Sequence, residues 1–178
     1  MERYIDLIGH HSVAQVLSGD NSRKFWSMFS KPWLPDTGTG WRRSMMEKDL
    51  LRAEMRASKN GYWSDAARML TIGEASSAQR KAHHDLVALK GTATKLIKPG
   101  TKCSRVFKAV VQDAENNNVD LLVKSGIGHG VGVTAYEPPY LLDSDDTTLE
   151  PGMVIELDPI VYGPSKEIMR SKDTILVT

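Results

Sequence analysis

The chain has 178 residues, with 23 Lys and Arg against 22 Asp and Glu, and a net charge of +1 at pH 7. This length predicts one domain with a sizeable core, and the near-neutral charge gives no field that would attract nucleic acid or an anionic membrane. We find no apolar run long enough to span a bilayer and no signal peptide. The single cysteine, Cys103, excludes an internal disulfide and fits a reducing compartment. We therefore expect a cytoplasmic protein.

The first part of the chain predicts little regular structure. Residues 12–17 suit a short strand, which the turn residues at 18–21 end. Residues 25–40 hold Trp26, Phe29 and Trp33 together with two prolines, a composition typical of a long loop. Such aromatic side chains more often cover the edge of a core than bind substrate.

A β-hairpin is predicted next. Residues 49–58 and 62–72 flank Lys59-Asn60-Gly61, and Asn-Gly between two such runs is the strongest short hairpin signal. The period of a strand then places Arg52, Glu54 and Arg56 on one face. Helix is the competing interpretation for residues 49–58, because Leu, Arg, Ala, Glu and Met favour helix.

Two helices follow, at residues 75–97 and 104–115, each with apolar residues at a spacing of three and four. Ser76 or Ser77 can cap the first helix. His83 and His84 are adjacent and cannot share a helix face, so we expect them to be solvated and not to bind a metal.

The chain then returns to strands, at residues 128–136, 152–161 and 167–177. The first is rich in glycine and contains His129, flanked by Gly128 and Gly130. One interpretation is a backbone that something approaches closely, with an imidazole available to a ligand; the other is a hairpin with an incidental surface histidine. Strands, two helices and further strands predict an α+β domain whose helices pack on a largely antiparallel sheet.

Five pieces now stand in a fixed order: GYWSDAAR, GHGVG, YEPP, LEPGMVIELDP and SKDTILVT. Together they resemble the pita-bread hydrolases, which include methionine aminopeptidase, Xaa-Pro aminopeptidase, prolidase and creatinase. The resemblance implies a curved antiparallel sheet wrapped by helices, an active site in its concave face and a homodimer. It covers residues 49–178, the expected catalytic core. Residues 1–48 are then an incomplete N-terminal part of the catalytic domain, and the chain resembles the later part of a longer hydrolase.

The resemblance also implies a set of site residues. Metal-dependent members use Asp, Asp, His, Glu and Glu in that order, and these positions fall on Glu54, Asp65, His129, Asp158 and Asp173. A second family histidine is replaced by Tyr136. Two metals about 3.5–4 Å apart need carboxylates of fixed reach, and three of the five acidic or histidine ligands have changed length here. We therefore favour no metal, with two divalent ions (Mn, Co or Zn) as the alternative.

Without metal, a cluster of carboxylates needs protonation or a cationic ligand. The substituted ligands resemble most the ectoine hydrolase branch, which implies metal-independent opening of a cyclic amidine in a small cationic or zwitterionic substrate. Glu54 would attack the amidine carbon or direct water to it, and His129 would transfer protons. Asp65, with Asp158 or Asp173, would bind its nitrogens. Tyr136 would donate to the substrate carboxylate or stabilise negative charge; the equal alternative is a half-buried strand tyrosine without a role in the site. The alternatives are a metal-dependent Xaa-Pro dipeptidase or aminopeptidase and an inactive binding module of the same fold.

Overall fold

The computed structural model describes the backbone of residues 24–30 and all atoms of residues 48–124 and 126–178. The predicted strand at 12–17 and Trp33 lie outside these residues. The elements in chain order are β1 Lys24–Ser30, β2 Leu50–Lys59, β3 Tyr62–Thr71, α1 Ser77–Leu96, α2 Cys103–Asn116, β4 Gly128–Gly130, β5 Glu137–Tyr140, β6 Val154–Leu157, β7 Ile160–Tyr162, β8 Ile168–Arg170 and β9 Asp173–Leu176.

The predicted hairpin is confirmed. β2 and β3 pair antiparallel from Leu50 opposite Thr71 to Lys59 opposite Tyr62. Asn60 and Gly61 form the turn with φ of 53° and 85°, the left-handed conformation that an Asn-Gly hairpin uses. The competing helix for residues 49–58 is therefore wrong, because pairing along ten residues outweighs the helix preference of single side chains.

The predicted loop at residues 25–40 is wrong for its first part. β1 pairs antiparallel with β2 over its whole length, in the order β1-β2-β3. The free edge of the hairpin offers unpaired backbone groups, and the aromatic residues of this segment favour extended backbone. The hairpin thus becomes a three-stranded sheet.

Both predicted helices form. The Ser76 side chain accepts from Gln79 N at 3.1 Å, and Gln79 Oε1 accepts from Ser76 N at 2.8 Å, which is a complete capping box. α1 packs against α2 and buries Leu86 and Leu89. His83 and His84 are exposed, as predicted. Neither of these described helices is long and apolar enough to cross a membrane.

The remaining strands form the sheet β5-β4-β6-β9 and the pair β7-β8. The main-chain N–H of Lys172 donates to the Ala67 carbonyl at 3.1 Å, which joins β9 to β3 of the first sheet. Ile155 and Leu157 of β6 lie in the core together with apolar side chains of both helices. Alternation along a strand therefore directs Glu156, between them, to the face away from the helices.

All three predicted C-terminal strands are interrupted. The strand predicted at 128–136 ends at Gly130, and a loop over residues 131–136 leads to β5. The strand at 152–161 breaks at residues 158–159, where Pro159 has no N–H for a ladder. The strand at 167–177 breaks at residues 171–172, where Lys172 pairs with Ala67 instead. Tyr136, Asp158 and Lys172 lie at these interruptions.

Candidate functional site

The candidate site lies on the sheet face opposite the helices. The register pairs His129 with Glu156 and Glu156 with Thr174, so these three residues share one face. Thr174 Oγ1 donates to Glu156 Oε2 at 2.7 Å and to the Asp65 carbonyl at 3.2 Å. The two sheets therefore meet along this row of polar side chains.

The Lys172 ammonium is the centre of the site. Its Nζ donates to Glu54 Oε1 and, at 2.5 Å, to Asp65 Oδ2, and it lies 4.0 Å from Asp158 Oδ2. The side chain is fully buried. Burial alone would lower the pKa of Lys172, but the charge of Asp158 and the hydrogen bonds to Asp65 and Glu54 outweigh it and raise the pKa. Lys172 is therefore a buried cation.

Arg56 is the second cation bound by the hairpin carboxylates. It donates through Nε to Asp65 Oδ2 at 3.0 Å and through Nη2 to Glu54 Oε1 at 3.2 Å. Burial would raise the pKa of Glu54, yet the hydrogen bond and charge of Lys172 hold it below the ordinary value. Glu54 is therefore an ionised carboxylate enclosed by cations.

Arg170 neutralises the third acid. Its Nε donates to Asp158 Oδ1 at 2.5 Å, and Nη2 donates to Asp158 Oδ2 and, at 3.2 Å, to the Tyr136 hydroxyl. Burial raises the pKa of Asp158 in spite of this fork-to-fork pair. We call Glu54, Asp65, Asp158, Lys172, Arg56 and Arg170 the charged cluster.

His129 borders the charged cluster. It is only 4% exposed, and Nδ1 lies 2.9 Å from the Gly130 carbonyl, to which Nδ1–H donates. Nε2 is buried and has no hydrogen-bond partner among the described residues. Burial lowers the pKa of the imidazole, although the Gly130 carbonyl and the nearby Asp158 oppose the shift. The surface-histidine interpretation is therefore wrong, and His129 presents a buried acceptor.

Tyr136 covers the site. Its ring stacks on the His129 ring with centroids 3.8 Å apart and an angle of 25° between the planes. Arg56 lies 5.5 Å and Lys172 Nζ 5.7 Å from the centre of the same ring. Tyr136 itself is 45% exposed, so part of the residue faces solvent. It therefore stands between the buried charges and the outside.

Glu137 holds the loop that carries Tyr136. Its Oε2 accepts from Thr134 N at 2.9 Å and from Thr134 Oγ1 at 3.1 Å. A Cβ on Gly132 would lie 2.5 Å from Glu137 Oε1, so a larger residue would require this carboxylate to shift. The Gly132 carbonyl accepts from Trp63 N of β3 at 2.7 Å. The close approach predicted from the glycine-rich sequence is therefore an approach by the chain's own loop.

The structure does not bring Asp173 into the charged cluster. Asp173 pairs across the ladder with Leu157, on the face that packs on the helices. Its carboxylate binds Lys90 of α1 and, at 2.9 Å, Arg68 Nη2. The pleat of β9 directs Lys172 and Thr174 to the site and Asp173 away from it. The other predicted site residues, Glu54, Asp65, His129, Tyr136 and Asp158, do lie together.

Sequence reasoning missed Lys172, Arg170, Glu156 and Thr174. Glu156 is fully buried, its Oε1 has no partner among the described residues, and burial raises its pKa to about 7. The signal for these residues was the strand period: Glu156 and Asp158 alternate with Leu157, and Lys172 and Thr174 alternate with Asp173. A shift of one residue in the last motif therefore places the Asp173 carboxylate outside the site and the Lys172 ammonium inside it.

The charged cluster does not fit the two metals that the resemblance implies. Glu54 Oε1 and Asp65 Oδ2 already accept from Lys172 and Arg56, and Asp158 is held by Arg170, while Asp65 Oδ1 is buried without a partner among the described residues. In the described part of the chain, no three His, Cys, Asp or Glu side chains are arranged to hold a metal ion. Oxygen ligands must converge at 2.0–2.6 Å on the ion. An ammonium group lies where they would converge.

The antiparallel sheets, the two described helices and the site on the face opposite them are those of the pita-bread fold. The sequence of residues 11–178 matches the Metallopeptidase family M24, and the chain belongs to that family.

Curated relatives are peptidases by name. The chain is 32% identical over 130 residues to methionine aminopeptidase of Staphylococcus epidermidis, covering 70% of this chain and 51% of that protein. It is 28% identical over 180 residues to the probable dipeptidase PepE of Mycobacterium bovis, covering 96% of this chain and 43% of the relative. The chain thus spans about half the length of the curated relatives it matches.

Solved structures share the fold. Dipeptidase PepE from Mycobacterium ulcerans superposes with a TM-score of 0.78 at 23% identity, over 96% of this chain and 46% of that one. Prolidase from Pyrococcus furiosus superposes with a TM-score of 0.70 at 26% identity, over 81% of this chain and 43% of that one. The predicted superfamily and α+β class are confirmed. The ectoine hydrolase branch stays a prediction.

Proposed function

We propose that this chain supplies the hydrolytic site for cleavage of a C–N bond in a short peptide. The similar proteins are a dipeptidase, a prolidase and an aminopeptidase, which favours the peptidase alternative over the opening of an ectoine-type ring. Because the chain matches about half of each of them, substrate and activity are proposals for this chain.

One observation carries the proposal: the buried Nε2 of His129, without a partner among the described residues, beside the charged cluster. With Nδ1–H donated to the Gly130 carbonyl, Nε2 carries the free lone pair of the neutral ring. Water would attack the amide carbon while Nε2 takes its proton, and the proton would then pass to the leaving nitrogen as the C–N bond breaks.

Fixed cations would stabilise the charge that develops on the amide oxygen. Lys172 is held by Glu54 and Asp65, and Arg170 is held by Asp158. Positive groups that need no reorganisation are the most effective form of such stabilisation. The Tyr136 hydroxyl, next to Arg170 Nη2, is a further donor.

Glu54 then has a different task from the nucleophilic role expected from the sequence. Its Oε1 accepts from Lys172 and Arg56, and its Oε2 lies 3.6 Å from Arg52 Nε. A carboxylate stabilised by this many cations is a poor nucleophile. In our proposal Glu54 holds Lys172 in place.

The test is a substrate panel on the full 178-residue chain: Xaa-Pro dipeptides, peptides with N-terminal Met, ectoine and creatine. We expect turnover of a peptide, and we expect His129→Ala to lower kcat by about 10²–10⁴-fold. His84→Ala, at an exposed helix position, is the matched control and should leave kcat unchanged. Turnover of ectoine without peptide cleavage would restore the cyclic amidine prediction.

A second candidate is a binding module of the same fold. The observation in its favour is that the acids of the charged cluster are paired with cations of the same chain. Calorimetry with the same peptides separates the two: binding without product by mass spectrometry supports the module and contradicts a hydrolase.

A further inference from the structure

We infer that the Lys172 ammonium replaces the divalent metals of the family, so that this chain has an internal cation at its active site and binds no metal there. The inference deepens the proposed function, since it assigns the source of positive charge at the same site. It starts from a disagreement: family membership implies a metal centre, and the side chains present do not fit one.

Position is the first argument. Lys172 Nζ bonds to Glu54 and Asp65, one acid from each strand of the hairpin, and faces Asp158 at 4.0 Å from the other sheet. These are three of the four acids that the family resemblance assigned to metal. An ammonium group at their meeting point satisfies Glu54 Oε1 and Asp65 Oδ2 by hydrogen bonds, where a metal would act by coordination, and leaves Asp65 Oδ1 without a partner among the described residues.

The fixed main chain of Lys172 is the second argument. Its N–H donates to the Ala67 carbonyl at 3.1 Å, and its own carbonyl accepts from Arg68 Nη1 at 2.6 Å. Both bonds tie the residue to β3, the strand that carries Asp65. The side chain is fully buried, so no solvent-exposed position is available to the ammonium. A metal ion would have to displace the ammonium of a residue whose main-chain N–H and carbonyl are both bonded to β3.

Charge balance is the third argument. Lys172, Arg56 and Arg170 already face the three acids Glu54, Asp65 and Asp158. Arg52 Nε also lies 3.6 Å from Glu54 Oε2, so two divalent ions would add four positive charges to a group in which cations already outnumber these three acids. Like charges at this spacing repel strongly inside a protein. The cluster thus favours its own cations over added metal.

The experiment measures metal binding directly, with the tag-free 178-residue chain freed of metal by chelation. Thermal unfolding is followed with and without Mn²⁺, Co²⁺ or Zn²⁺, and calorimetry gives stoichiometry. We expect no saturable site and no change in Tm for the wild type. For Lys172→Glu, which supplies a carboxylate in place of the cation, we expect Mn²⁺ to raise Tm by about 5–10 °C at a hundredfold excess over Kd.

The matched control is Lys59→Glu, the same charge change at an exposed position of the hairpin turn. It should not gain a Tm response, which separates a site from general attraction of cations. If Lys172→Glu cannot be purified without metal, the yield of folded protein is measured after refolding with and without Mn²⁺. Recovery of folded protein only with metal supports the inference.

Saturable binding of Mn²⁺, Co²⁺ or Zn²⁺ to the wild type that Asp65→Asn abolishes would overturn the inference. So would a Lys172→Glu chain that folds normally and shows no metal response. The proposed function is tested separately. If no peptide is cleaved but the metal results are as expected, the inference of an internal cation is supported and the proposed hydrolase activity is contradicted. Peptide cleavage that needs added Mn²⁺ contradicts the inference and leaves the hydrolase intact.

Discussion

Lys172 and Asp65 are 107 positions apart in the chain, yet the ammonium nitrogen of one lies 2.5 Å from Oδ2 of the other. Backbone contacts on either side bring them together: Lys172 N donates to the Ala67 carbonyl, and Thr174 Oγ1 donates to the Asp65 carbonyl. The ion pair therefore depends on the alignment of β9 with β3. It joins the hairpin to the C-terminal sheet at the site itself.

Asp65→Asn should lower the free energy of unfolding by about 3–5 kcal/mol, because it removes one anion from a buried set of charges and leaves Lys172 and Arg56 with an excess of positive charge. Urea denaturation followed by circular dichroism measures this. The control is Asp120→Asn, which breaks the exposed pair with Lys166 and should cost at most about 1 kcal/mol. Equal losses for both variants would contradict a structural role for the buried pair.

Glu156→Gln tests the raised pKa of Glu156, which is about 7 against an ordinary value near 4.5. The folded-state pKa lies above the unfolded one. The stability that protonated Glu156 contributes is therefore fully present below about pH 4.5 and is lost as pH rises through about 7. Glutamine imitates the protonated acid at every pH. The stability of the variant relative to wild type should therefore rise by about 2–3 kcal/mol between pH 5 and pH 8. A difference that stays constant with pH would show that Glu156 titrates normally.

Local signals were enough to predict the hairpin and the helices. Asn60-Gly61 determines a turn by backbone conformation alone, and Ser76 with Gln79 determines a helix start by two hydrogen bonds between near neighbours. These features depend on residues a few positions apart, so the sequence contains all that is needed. β1 was missed because its pairing depends on the open edge of a hairpin that lies further along the chain.

The composition of the site could not be predicted in the same way. Glu54, Asp65, His129 and Asp158 were found through motifs, but the choice between Lys172 and Asp173 depends on which face of β9 meets the site. A shift of one residue reverses that choice. The last motif alone does not determine which face of β9 meets the site. The pairings of Glu156 with Thr174 and of Ala67 with Lys172 determine it, and both pairings join distant segments.

Cys103 should resist alkylation in the folded chain. The side chain is fully buried at the start of α2, and burial raises the pKa of the thiol to about 11. Only the thiolate reacts, so at pH 8 the folded chain should be labelled by iodoacetamide at least about 100-fold more slowly than the chain in urea. Mass spectrometry measures the rates. Labelling at the same rate in both states would contradict the buried position.

Gly130→Ala should destabilise the chain and displace the loop that carries Tyr136. A Cβ there would lie 2.5 Å from the Pro138 carbonyl oxygen and 2.8 Å from that of Glu137, and both are backbone atoms of the paired strand. The strand must move apart at a cost of about 1–3 kcal/mol, and Tyr136 would lose its stacking on His129. Gly91→Ala is the matched control, because nothing lies within 4 Å of its added Cβ and alanine stabilises a helix by about 0.5–1 kcal/mol. The two variants should therefore shift Tm in opposite directions, and a shift of the same sign in both would mean that β4 and β5 are not packed as closely as the register indicates.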